Sequence, residues 1–152
     1  MNKNSSVCHH AVLGDWARCG EDATRVRHAV FIVEQGVLPE EELDALDPEC
    51  VHALLYDARG VAIATGRLLP DGHIGRMAVL KAYRGQGAGS AVLKLLMEEA
   101  SRRGHPEVVL AAQVHAQDFY RLHGFLPEGP IFKDAGIDHV TMRCVLPRHL
   151  SL

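Results

Sequence analysis

The chain has no long apolar run, no clustered cysteines and no excess of basic charge, and each absence removes a class of protein. No stretch approaches the roughly 20 apolar residues that span a bilayer. The first residues, MNKNSSVCHHAVL, carry one lysine and no sustained apolar segment, so they do not read as an export signal. A cytoplasmic, reducing location without a membrane partner is the expectation. Cys8, Cys19, Cys50 and Cys144 stand far apart, with no CxxC or other metal-ligand spacing. That predicts free thiols rather than a disulfide frame or a metal site. The adjacent His9 and His10 would point to opposite faces of a strand, a poor chelate, so no metal is expected. Sixteen Lys plus Arg against nineteen Asp plus Glu leave a net charge of -3, which argues against a nucleic-acid partner. Repeats, low-complexity segments and linkers are missing too. What is there is 152 residues, 47% apolar and 23% charged, the profile of one globular domain. That domain is expected over 7–146, between a flexible start at 1–6 and a tail at 147–152.

Hydrophobic patterning places the elements. Val7 to Leu13 reads as a first strand and Gly14 to Gly20 as a connector. Glu21 to Val33 reads as a helix, with Val26, Ala29, Val30 and Val33 at helical spacing and Glu21 and Asp22 in the first turn. Residues 37–50 are acidic and read as a solvated loop, or else as an acidic lip around a cationic acceptor. Val51 to Tyr56, Val61 to Leu69 and His73 to Leu80 form an antiparallel meander with tight turns. Ser90 to Arg103 is the clearest helix. Val92, Leu95, Leu96 and Ala100 form its buried stripe, with Glu98–Arg102 and Glu99–Arg103 pairs outside. Val108 to Gln113 is an apolar strand expected to be buried on both faces. A short helix from Ala116 to His123 and strands at Ile131 to Lys133 and His139 to Leu146 complete the chain. The fold class is α/β, with a mixed sheet. A right-handed crossover through the strong helix should set His73–Leu80 and Val108–Gln113 parallel.

Chemistry concentrates where the meander meets the strong helix. Glycines alternate at 85, 87 and 89 in Arg84-Gly85-Gln86-Gly87-Ala88-Gly89-Ser90. Backbone N–H groups can converge there, at a helix N-terminus whose dipole favours an anion. Such a strand, glycine turn and helix can cradle a pyrophosphate, and a turn that needs glycine only for packing would use the same residues. It is not a P-loop, which needs Gly-Lys before Ser or Thr, nor a Rossmann turn, which follows a first strand with different glycine spacing. The second candidate is Phe119-Tyr120 on the short helix. A tyrosine hydroxyl at a cleft can be a general acid, and a half-buried packing tyrosine would look alike.

These residues resemble a known family. Val79 to Gly89 is similar to motif A of the GCN5-related N-acetyltransferases (GNAT), and Phe119-Tyr120 followed by Gly124-Phe125 to their motif B. Val30 to Gly36, Ala64 to Leu68, Ile74 to Val79 and Gly136 to His139 look like the ElaA-like branch, so the resemblance covers nearly the whole chain. It implies the GNAT acyl-CoA N-acyltransferase fold, with antiparallel front strands and a splayed parallel pair that holds acetyl-CoA. By the same resemblance, Arg84, Gly85, Gln86, Gly87, Ala88, Gly89 and Ser90 would take the pyrophosphate. Met77, Ala78 and Val79 would pair with the pantetheine arm. Gln113 stands where many members have Asn, and Phe119 flanks the cofactor.

The implied reaction is direct transfer of an acetyl group to a primary amine of a small molecule or peptide. Tyr120 would be the general acid for the departing thiolate, and a backbone N–H near Val79 would stabilise the oxyanion. The base would come from Glu34, His139 or Glu42. Arg27, Arg67 and Arg76 are candidates for the acceptor side, where they would suit a carboxylate or phosphate, or they pair with the acidic stretch. A non-catalytic acyl-CoA-binding sensor would need the cradle but not Tyr120, and a transferase of longer acyl chains would need a wide apolar pocket. Dimers are common in the family, which leaves a homodimer open.

Overall fold

A computed structural model describes residues 10–147. The expected flexible start at 1–6 and most of the tail at 147–152 therefore lie outside the described residues. Strand β1 is His10–Gly14. Helix α1 begins at Trp16, not at Glu21, because the Asp15 carboxylate caps it by accepting from the Arg18 N–H at 2.9 Å. The expected connector at Gly14 to Gly20 is thus mostly helix, and Glu21 and Asp22 fall in its middle. Gly20 is there for packing: a Cβ would come within 2.9 Å of the Trp16 ring. Helix α1 (Trp16–Arg27) buries Cys19, Ala23 and Val26, then runs into a π-helical stretch, His28–Glu34, that ends before Gly36 at φ 73°. The short helix α2 (Pro39–Glu42) and a single turn at Asp47–Glu49 follow.

Strands β2 (Val51–Tyr56), β3 (Ala62–Leu68) and β4 (Ile74–Val79) form the antiparallel meander, in a sheet ordered β1-β2-β3-β4. One face packs Leu54, Ala62 and Ala78 against Cys19, Ala23, Val26 and Val30. The other packs Ala53, Leu55, Ile63 and Ala64 against helix α3 (Ala88–Arg102) through Val92, Leu93, Leu96 and Ala100. Leu93 therefore takes the fully buried place expected of Leu95. On the same helix, Glu99 pairs with both Arg102 and Arg103.

The second sheet is ordered β5-β7-β6, with β5 at Glu107–Gln113, β6 at Leu126–Asp134 and β7 at Ile137–Val145. Helix α4 (Gln117–Leu122) precedes β6. The sheets meet at one parallel bridge, His73 to Val109, where the Val109 N–H donates to the Gly72 carbonyl at 3.3 Å. Beyond it β4 and β5 diverge, so the expected parallel pair is real but splayed. The divergence also corrects the burial of β5. Val108, Leu110 and Ala112 are buried, whereas Ala111 is exposed to the gap. Strand β6 is longer than Ile131 to Lys133 because, as an edge strand, it tolerates Pro127 and Pro130, with an irregularity between Glu128 and Phe132.

A bulge bends β4 away from β5. The pairing of β3 with β4 slips between Thr65 and Arg67, and Arg76 sits at φ 50°, the left-handed region that a side chain rarely adopts. Opposite the bulge is Gly66, where a Cβ would lie 2.5 Å from the Met77 sulfur. Glycine there lets Met77 lie flat across β3.

Candidate active site

The gap between β4 and β5 is a cavity of about 730 Å³, also lined by the α3 N-terminus, α4 and the π-helical end of α1. Gly85 and Gly87 have φ of 77° and 85°, and Gly87 is the N-cap of α3 with no side-chain cap. The first intrahelical bond there is from the Ala91 N–H to the Gly87 carbonyl, at 3.0 Å. The N–H groups of Ala88, Gly89 and Ser90 thus have no intrahelical acceptor, and all three residues line the cavity. A Cβ at Gly85 or Gly87 would meet nothing within 4 Å. Glycine is required there by backbone angle and not by crowding. Uncapped donors on residues that line the cavity fit an anionic group such as a pyrophosphate. Gln86 lies outside this lining, with its amide directed at the Ala82 carbonyl at 3.4 Å.

The rim cation is already engaged. The Arg84 guanidinium holds the Glu34 carboxylate with two bonds, 2.5 and 2.6 Å, and its Nε donates to the Val79 carbonyl at 3.0 Å. The Arg84 hydrogen bond keeps the Glu34 carboxyl below its ordinary range, which makes Glu34 a weaker base. One residue on, Gln35 exchanges amide hydrogen bonds with Gln113 at 3.0 and 3.4 Å. The end of the first helix is thereby tied to both arms of the gap. His115 contacts the same Gln113 oxygen at 2.7 Å.

Met77, Ala78 and Val79 line the cavity from the bent strand, and Phe119 and Tyr120 line it from α4. The Phe119 ring approaches closely because a Cβ at Gly89 would be 3.3 Å from it. Tyr120 is buried between Phe119 and Phe125, with ring centroids at 5.0 and 5.8 Å. Burial pushes its hydroxyl up to about 12, so it is protonated, and a donor, at neutral pH. His139 also lines the cavity, with its Nδ1 on the Ile137 carbonyl at 2.7 Å.

The three arginines take the second of their two expected roles, pairing with the acidic stretch. Arg27 and Arg67 do not line the cavity; they are buried, at 2% and 5% exposure. Arg27 grips Glu42 at 2.8 Å and Asp47 at 2.9 Å, and its guanidinium lies 5.6 Å from the Trp16 ring centroid. Arg67 grips Asp47 at 2.7 Å and also bonds Asp44. Burial alone would raise the Asp47 carboxyl, but Arg27 and Arg67 outweigh it and hold it below the ordinary range. The neutral-favouring burial of His52, whose Nε2 meets the Asp47 carbonyl at 2.9 Å, completes the cluster. Half of the acidic stretch, Glu42, Asp44 and Asp47, is thus a charge lock, while Glu40, Glu41 and Glu49 are solvated as expected. Arg76 does line the cavity, but its charge sits on Glu42 at 3.0 Å, which also ties Glu42 down.

Residues not picked out from sequence also face the cavity. Gln35, Phe31 and Asp134 are among them, whereas Glu41 lines it from the acidic stretch expected as a lip. Only Gln35 carried a local signal, as the neighbour of Glu34 at the helix end. Among the described residues no group of three His, Cys, Asp or Glu side chains could hold a metal, and no helix is long and apolar enough to cross a membrane.

The sequence model of the acetyltransferase (GNAT) domain matches residues 19–146. The chain is 39% identical over 126 residues to the uncharacterized N-acetyltransferase YjcF of Bacillus subtilis, covering 80% of this chain and 89% of that one. It is 31% identical over 127 residues to protein ElaA of Escherichia coli, covering 78% and 82%. The ElaA crystal structure superposes with a TM-score of 0.79 over 89% of this chain and 99% of that one, at 26% identity. An acyl-CoA N-acyltransferase from Pseudomonas aeruginosa does so with the same TM-score, 0.79, at 29% identity over 90% and 99%.

Proposed function

The chain belongs to the GNAT family of acetyltransferases, in its ElaA-like branch, and we propose that it moves the acetyl group of acetyl-CoA directly onto a primary amine of a small molecule or peptide. The observation that carries this reading is the uncapped N-terminus of α3, whose glycine-framed donors open onto the same cavity as Tyr120. The N–H groups of Ala88, Gly89 and Ser90 would hold the pyrophosphate, and the free edge of β4 from Met77 to Val79 would align the pantetheine arm. When bound, acetyl-CoA supplies an activated acyl group and a thiolate leaving group. Tyr120 serves as the general acid: its hydroxyl keeps its proton at neutral pH and has only apolar rings around it.

The test is coenzyme A release from acetyl-CoA across a panel of polyamines, amino acids, aminosugars and peptides, with Tyr120→Phe beside the wild type. Acceptor-dependent thiol release that falls about 10²-fold or more in Tyr120→Phe, with coenzyme A binding unchanged, is expected. Tight coenzyme A binding without turnover on any acceptor would favour a sensor, and turnover unchanged in Tyr120→Phe would remove Tyr120 from its role.

A further inference from the structure

Resting on that transfer reading, we propose that His139 is the general base that takes the proton from the acceptor nitrogen. A primary amine must lose one proton as it becomes an amide, so a lone pair has to face it. Six groups of suitable type line the cavity: Glu41 and Asp134 are exposed to solvent, His115 is engaged by Gln113, and Glu34 and Glu42 are occupied. Glu34 is clasped by Arg84 through both oxygens. Glu42 is held by Arg27 and Arg76. His139 is different. It lies on β7, directly opposite Gln113 of β5 and Phe132 of β6 in the strand register. Its ring stacks on Phe132 at 6.0 Å, and the residue is 8% exposed. Its Nδ1 faces the Ile137 carbonyl at 2.7 Å. A carbonyl only accepts, so Nδ1 carries the hydrogen and the neutral ring keeps its lone pair on Nε2. Among the described residues Nε2 has no hydrogen-bond partner, and His139 lines the cavity. A buried ring with one nitrogen locked and the other open is oriented as a base.

The charged groups around it are compatible. Glu34, Glu42 and Arg76 are in ion pairs, and Lys133 pairs with Asp138 at 2.9 Å on the hairpin outside. His115 is on Gln113, and Tyr120 is neutral. Glu41 and Asp134 line the cavity without an ion pair among the described residues. The step balances. The nitrogen lone pair forms the C–N bond and its proton goes to Nε2. The C–S bond breaks, its electron pair leaves with sulfur, and sulfur takes the Tyr120 proton. The imidazolium proton then returns to the tyrosinate through cavity water, restoring both residues.

The experiment uses the best acceptor of the amine panel with His139→Ala and His139→Asn, the second retaining an N–H for the Ile137 carbonyl. Coenzyme A titration and kcat against pH are read together. Both variants should lose about 10²-fold or more in kcat, bind coenzyme A as the wild type does, and lose the rise of rate with pH. Imidazole added to His139→Ala should restore turnover, since the vacated space lies in the cavity. Either variant working near the wild-type rate overturns the assignment. So does a loss that imidazole does not rescue and that leaves the pH profile unchanged, which would make the ring a packing residue. A wild type that binds coenzyme A yet releases no thiol with any acceptor overturns the transfer reading itself.

Discussion

The two ends of the cavity are built from different materials. The α3 end is backbone: left-handed Gly85 and Gly87, uncapped N–H groups and the bent edge of β4. The α2 end is side chain: Arg27, Arg67 and Arg76 locked onto Glu42, Asp44 and Asp47. The first depends on local conformation and the second on charges brought together from remote parts of the chain. A backbone site offers the same donors whatever surrounds it, whereas a charge lock holds its wall only while every partner is present. Each end should therefore fail in its own way.

The largest effect is expected at Asp47, which accepts from both Arg27 and Arg67. Asp47→Ala leaves two buried guanidiniums short of a partner and should cost about 3–5 kcal/mol, read as a lower denaturation midpoint in urea. The folded carboxyl lies below its ordinary 3.8, so the unfolded chain binds more protons between those values. The stability from this group is thus complete above about pH 4 and is lost as pH falls through the lower folded value. The variant should show a shallower acid slope. Its coenzyme A affinity, referred to the folded fraction, should change little. A large loss of affinity would show that the two ends are not independent.

Gly87→Ala is the matching test of the backbone end. At φ 85° a Cβ has space but the wrong backbone, so stability should fall by about 1–2 kcal/mol. Gly87 is the residue that sets the first turn of donors, so a strained backbone there should misalign them, and coenzyme A affinity should fall about tenfold, worth roughly 1.4 kcal/mol. Here binding should suffer as much as folding, the reverse of Asp47→Ala.

The same contrast explains what the sequence discloses. Glycine at 85 and 87, next to a strong amphipathic stripe at Val92, Leu96 and Ala100, is a local pattern, so the cradle and its helix are legible. The crossover rule likewise places β4 beside β5. The charge lock is legible only as an alternative without named pairs: Arg27 reaches Asp47 across twenty positions and Arg67 reaches Asp44 across twenty-three, and no local spacing fixes either partner. Gly14 and Gly20 mislead for a related reason, because Gly20 answers to the Trp16 ring rather than to a turn. Pro127 and Pro130 hide the length of β6, since only an edge strand can carry them. The left-handed Arg76 that bends β4 leaves no mark in its residue type.

The smallest effect is expected where the two materials meet. Arg84 belongs to the backbone end but its guanidinium is held by Glu34, at the end of the first helix. Both side chains are exposed enough for water to screen the pair, so Glu34→Gln should change stability by no more than about 1 kcal/mol. Its effect on binding has the opposite sign from that of Gly87→Ala. A bound pyrophosphate and the Glu34 carboxylate compete for one cation, so removing the carboxylate should tighten coenzyme A a few-fold at low salt. The gain should shrink as ionic strength rises, because the freed charge is itself screened. A weaker affinity instead would mean that Glu34 aims Arg84 at the ligand rather than competing with it. The side-chain end of the cavity would then reach into the backbone end through that single pair.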